Sequence, residues 1–247
     1  MSAWKTLLKT EGKLALRTPD LVLFGILFPV GMLLLLGAIY GGKPAFDGAE
    51  YTFLDQSFAA VAAVGICACG LMGFPLSVAD YRHRKILRRF KVTPVSPGLL
   101  LGVQSLVQFG VALFSGLLVY AVAAVVFGYR MNGPAGWFIL AYLLVALAIF
   151  ALGMVVASLA PSQKAANLIC TVLYFPMLFL SGATVPYEVM PPMMRNIVDI
   201  LPLTQGIKLL KGLSLGQETD RLLFPLLLMA AMAVVCVAVS FKTFKWE

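Results

Sequence analysis

The chain has 247 residues, of which 61% are hydrophobic and only 12% charged, with a formal net charge of +8. A soluble domain carries about 25% charged and about 45–50% apolar residues, so lipid is the implied solvent for this excess of apolar side chains. Cys67, Cys69, Cys170 and Cys236 all lie in apolar runs and His83 is the single histidine, which argues against disulfides and against a multi-histidine metal site.

The first twenty residues place Lys5, Lys9, Lys13 and Arg17 on one stripe at i+4 spacing, with Trp4, Leu7, Leu8 and Leu14 largely elsewhere. That pattern predicts an amphipathic helix lying in the headgroup region over 1–20 rather than a cleaved signal. Thr18 and Pro19 then read as N-cap and first helical residue of the next helix.

Six apolar segments are long enough to cross a bilayer: Leu21–Tyr40, Phe58–Ala79, Leu99–Phe127, Trp137–Leu159, Ala165–Leu180 and Leu222–Phe241. The fourth and fifth are separated by a tight turn at 160–164. The fold expected is therefore an all-α integral membrane protein, read as a single domain over 1–247.

Between spans two and three, six of the eleven residues from Tyr81 to Lys91 are Lys or Arg and none is acidic. A short helix over about Tyr81–Lys91 would carry Ile86, Leu87 and Phe90 as an apolar ridge ringed by Arg82, Arg84, Lys85, Arg88, Arg89 and Lys91. Pro94 disfavours helix at Thr93, and Ser96-Pro97 reads as a new start. A loop needed only for topology has no use for the ridge. A docking helix for a cytoplasmic partner and a helix lying on anionic lipid both account for it.

Within the spans the neutral polar residues Gln104, Gln108 and Ser115 share one side of span three. Asn167, Thr171 and Tyr174 do the same in span five. They read either as a path for a polar substrate group or as interhelical hydrogen-bonding groups, worth roughly 0.6 kcal/mol each. Gly153 and Ala157 permit close helix approach. Residues 181–220 are apolar but broken by Pro186, Pro191, Pro192 and Pro202. They predict two short helices, about Tyr187–Ile200 and Leu203–Lys211, on the outer side and re-entrant, dipping into the membrane between spans five and six.

With the N-terminus inside, thirteen Lys and Arg fall on the cytoplasmic side and six outside. The chain is thus expected to be multi-pass with both termini cytoplasmic. No nucleic acid is expected as a partner, because the charge is placed to orient spans. The sequence contains no G-x-x-x-x-G-K-[ST], no H-E-x-x-H, no G-x-S-x-G and no charge inside a span. These absences speak against an ATPase, a metalloprotease, a serine hydrolase and an ion-coupled carrier in turn. A stand-alone carrier or channel remains the alternative to a motor-driven subunit, with a membrane enzyme or a scaffold behind it.

Three stretches together resemble the type-2 export permeases of ATP-binding-cassette transporters. LRTPDLVLFGILFPV is similar to the family's interface helix, Arg-x-Pro and Pro-containing first span. RHRKILRRFKVTPVSP resembles R-E-x-G-T-L-x-R-L-x-x-T-P-x-S-P, keeping Arg82, Leu87, Arg89, Thr93, Pro94, Ser96 and Pro97. SGATVPYEVMPPMMRNIVDILPLTQGIKLLKG resembles S-G-x-x-x-P followed by L-P-L-T. Among the departures, His83 stands at the usual Glu and Lys85 at the usual Gly.

The resemblance implies a non-catalytic export subunit in the cell membrane. Two such permease chains, identical or related, would pair, and separate cassette ATPase subunits would supply ATP and Mg. It implies coupling through Arg82, His83, Arg84, Lys85, Ile86, Leu87, Arg88, Arg89 and Phe90 of the 81–97 loop. It further implies an outer gate region around Ser181, Gly182, Pro186 and Pro202. The chain itself would hold no cofactor. Apolar walls suit an amphipathic or lipid-like cargo, including drugs.

Overall fold

The computed structural model describes residues 3–45, 49, 51–86, 97–182, 187, 190–217 and 222–243. Among these residues there is no strand, only an isolated bridge between Pro44 and Thr52. The helices are α1 (Ala3–Arg17), α2 (Pro19–Tyr40), α3 (Phe53–His83), α4 (Pro97–Phe127), α5 (Ala135–Leu159), α6 (Gln163–Leu180), α7 (Pro192–Val198), α8 (Pro202–Ser214) and α9 (Leu223–Thr243). Six of them, α2 to α6 and α9, are long and apolar enough to cross a membrane.

Span two is the axis of the bundle. In α3, 83% of the most apolar window lies inside the protein, against 22% to 28% for α2, α4, α6 and α9. Its small residues Ala59, Ala60, Ala62 and Ala63 are buried, which lets neighbours approach closely. The helix begins at Phe53, five residues before the expected Phe58. The Thr52 hydroxyl accepts from the Asp55 N–H at 3.2 Å while Asp55 accepts from the Thr52 N–H at 2.9 Å. That reciprocal cap extends the helix beyond its apolar run. Likewise the Ser162 hydroxyl accepts the Ala165 N–H and starts α6 at Gln163. Thr18, by contrast, does not cap α2 with its side chain. Its hydroxyl donates back to the Leu14 carbonyl, 2.9 Å away, bonding to the helix it leaves.

Two spans carry a widened turn immediately before a Phe-Pro pair. In α2 the Phe28 N–H reaches back five residues to the Leu23 carbonyl, and in α3 the Phe74 N–H reaches Cys69. Pro29 and Pro75 have no N–H to give and their rings crowd the preceding turn, so a π-type turn relieves each site. The Gly70 carbonyl thereby loses the donors at both 74 and 75. Gly153 of α5 packs against that spot: a Cβ there would fall on the Gly70 carbonyl oxygen. The two helix backbones meet there as the small-residue pattern predicts.

Between α6 and α9 the two short helices run Pro192–Val198 and Pro202–Ser214. They differ from the expected bounds because each opens with Pro at its first position, where a missing N–H costs nothing. Helix α8 is amphipathic and deeply buried, with Leu203, Leu209 and Leu210 at 0–1% exposure. A Cβ on its Gly206 would touch Val145 of α5 and Met229 of α9.

Candidate coupling site at the basic end of the bundle

One end of the bundle gathers α1, the end of α3 and the turn between α5 and α6. Three consecutive residues of α3 hold them. The Tyr81 hydroxyl donates to Glu11 of α1 at 2.6 Å. Arg82 donates from Nη1 to the Ala160 carbonyl at 3.1 Å and from Nη2 to the Ala157 carbonyl at 3.2 Å. Asp80 accepts from Gln163 Nε2 at 3.4 Å and pairs with Arg84 at 2.9 Å.

Each contact has a local cause. Ala157 and Ala160 lie at the C-terminal end of α5, where carbonyls lack intrahelical partners and favour a cation. The guanidinium fork serves two of them at once. Glu11 sits four residues from both Leu7 and Ala15, on the face that turns inward, and is only 6% exposed. Leu7, Tyr81 and Ile86 pack around the same apolar cluster as Ala15 and Leu21. The Asp80–Arg84 pair is exposed on the Arg side and adds little. A cleft of about 210 Å³ opens beside these contacts, lined by Ala79, Arg82, His83, Ala160, Ser162 and Gln163.

The expected single helix over Tyr81–Lys91 is corrected by this arrangement. Tyr81, Arg82 and His83 are the last residues of α3, not the first of a separate helix. The chain then breaks at Arg84 and Lys85, and Lys85 takes a φ of +56°. That left-handed conformation favours glycine, which is the residue the resembled pattern carries at this position. His83, Arg84 and Lys85 are exposed and Ile86 half-buried. Leu87, Arg88, Arg89 and Phe90 lie outside the described residues, as does Ser96. Pro97 opens α4 as expected.

The polar residues of the spans do not gather into one lined path. Gln104, Gln108 and Ser115 are buried, with the Oε1 atoms of both glutamines and the serine Oγ lacking a hydrogen-bond partner among the described residues. Gln108 lies against Gly73 of α3 and Ser115 against Gly65, inside the bundle. Tyr174 is buried in the main core cluster, Thr171 is half-buried and Asn167 faces outward.

At the opposite end, Ser181 is buried at the end of α6 and Gly182 follows with a φ of +93°. Pro186 lies outside the described residues and Pro202 opens α8. Nearby, Asp199 accepts from the Tyr187 hydroxyl at 3.0 Å and pairs with Lys208 at 2.7 Å, and the Lys208 ammonium lies 4.0 Å from the Tyr187 ring centre.

Glu11, Asp80, the Tyr81 hydroxyl and the Ala157 and Ala160 carbonyls are site groups that lie outside the sequence-based expectation. Glu11 was signalled by a lone acid on the apolar stripe of a basic helix. The carbonyls had no side-chain signal.

An all-helical, multi-pass membrane protein is the class defined by this geometry. A family model described as ABC-2 type transporter matches residues 2–214, and the chain belongs to that family. It is also similar to three proteins named Nodulation protein J: 42% identical over 92 residues in Rhizobium leguminosarum bv. viciae, 41% over 73 in Neorhizobium galegae and 38% over 73 in Rhizobium meliloti (strain 1021). These matches cover 35%, 30% and 30% of this chain, and 36%, 28% and 28% of the relatives. The chain thus spans about a third of the length of the curated relatives it matches.

Proposed function

We propose that this chain is the permease subunit of an ATP-driven exporter, powered by a separate cassette ATPase. One observation carries this: an ABC-2 family match over 2–214 in a chain whose sequence has no phosphate-cradling loop. A motor must then push from outside the chain, and ATP and Mg belong to that partner. The basic end is cytoplasmic, with both termini, by the distribution of Lys and Arg. The segment 81–97 docks the ATPase, with Leu87 and Phe90 as its apolar anchors. The whole of 1–247 acts as one permease unit beside a second copy or a related chain in the cell membrane.

Helix α8 is the re-entrant element. Its Gly206 meets Val145, ten residues into α5, or about 15 Å along a helix at 1.5 Å per residue. Its own helical hydrogen bonds satisfy its backbone there, and α5 and α9 flank it. Ser181, Gly182, Pro186 and Pro202 frame this outer region. The cargo is amphipathic or lipid-like, because the faces of α2, α4, α6 and α9 that leave the bundle are apolar. Gln104, Gln108, Asn167, Thr171 and Tyr174 are the polar groups available to its headgroup in a rearranged state.

The test is affinity purification of the tagged protein from mild detergent, with identification of what accompanies it. A cassette ATPase at about one per permease is the expected result, lost when Leu87 and Phe90 are both changed to Asp while membrane insertion persists. Transport by the purified chain driven by an ion gradient without ATP would overturn the reading.

A further inference from the structure

Successive side chains on a helix point about 100° apart, so Tyr81 and Arg82 leave the end of α3 toward different neighbours. Tyr81 reaches α1 through Glu11, and Arg82 reaches the last turn of α5 through two carbonyls. The Tyr81–Glu11 contact is not replaceable by water at low cost. Glu11 is 6% exposed, and a buried carboxylate stripped of its donor keeps its desolvation penalty. The Arg82 fork spans Ala157 and Ala160 together with two separate nitrogens, a geometry that the point-like ammonium of a lysine does not reproduce. Two residues after Tyr81–Arg82–His83 the backbone turns left-handed at Lys85. Everything held by the three-way contact therefore lies on the bundle side of that break.

We propose that Tyr81 and Arg82 are positioning residues that tie α1, the end of α3 and the α5–α6 turn into one mechanical body. A displacement delivered to 81–97 then moves the interface helix and the ends of α5 and α6 together, instead of bending the end of α3 alone. This rests on the reading that a cassette ATPase drives this end. It adds that the α5–α6 turn receives the stroke through Arg82.

The test uses the full chain in lipid nanodiscs, alone and with its co-purified ATPase. Spin labels are placed at the exposed positions Lys13 of α1 and Lys164 of α6, with Cys236 replaced by Ala, the other three cysteines being buried. The expected result is a narrow label-to-label distance that keeps its mean when the ATPase is trapped with ADP and vanadate. Tyr81→Phe and Arg82→Gln should each widen the distribution at least twofold and let its mean shift on trapping. Arg82→Lys should fall between Arg82→Gln and wild type. Adding Glu11→Gln to Tyr81→Phe should widen it no further, because the two act through one bond.

Narrow, unshifted distances in both variants would overturn the proposal, as would a wild-type mean that moves on trapping as far as theirs. If Arg82→Gln is not monodisperse, Tyr81→Phe, which removes one oxygen, carries the test. If no ATPase accompanies the chain, the proposed function fails, while the nucleotide-free widths still decide the clamp.

Discussion

Gly153→Ala tests the central helix contact most directly. A Cβ at this position would lie on the Gly70 carbonyl oxygen, with the Pro75 ring also close. The obstacle is backbone, so no rotamer change relieves it. A carbon needs about 3.5 Å from such an atom, and α3 and α5 would have to part by on the order of 1 Å. Overpacking of this kind costs about 1–3 kcal/mol, and the rigid partner favours the upper part of that range. At about 2–4 °C per kcal/mol for a chain of this size, the melting temperature of the purified protein should fall by roughly 4–12 °C. Gly110→Ala in α4 is the control. Nothing lies within 4 Å of a Cβ there, and replacing a helix-interior glycine gains about 0.5–1 kcal/mol. Thermal unfolding in nanodiscs measures both. A Gly153→Ala protein as stable as wild type would refute the close approach of α3 and α5 and the account of the freed Gly70 carbonyl.

Lys85→Gly should raise stability by about 1 kcal/mol, because a side chain at φ +56° is strained; hydrogen exchange of the α3 end would show slower opening, and faster opening would contradict it. Gln108→Leu removes a buried Oε1 that has no partner among the described residues and should stabilise by about 1–3 kcal/mol. A lower melting temperature in that variant would mean that water or cargo engages the carboxamide. The orientation is checked with single cysteines in cells: a membrane-impermeant maleimide should label a cysteine at Gln217 directly and one at Lys164 only after permeabilisation. The reverse pattern would invert the topology.

Much of the fold was legible before any coordinates because a bilayer admits few solutions. With no water to satisfy the backbone, each apolar run long enough to cross had to be a helix. Hydropathy therefore located all six spans, and only their ends moved, among them the starts at Phe53 and Gln163, where Thr52 and Ser162 supply caps. The amphipathic α1 was legible from the i+4 spacing of its basic residues, and Pro191, Pro192 and Pro202 announced broken structure near α7 and α8.

Legible from the chain alone, then, were the number and order of the spans, the basic segment at 81–97, and the motifs that resemble a transport family. Which face each span turns inward was decided by the tertiary structure. In lipid the core and the outer surface are equally apolar; in α4, Val119 is 0% exposed and Val125 85%, yet both sit in similar apolar surroundings in the sequence. The same limit hid the contacts at the basic end of the bundle. Tyr81 and Glu11 are 70 residues apart and Arg82 and Ala160 are 78 apart. Half of those contacts run to backbone carbonyl, which every residue carries, so only the packing of α1, α3 and α5 could select those carbonyls.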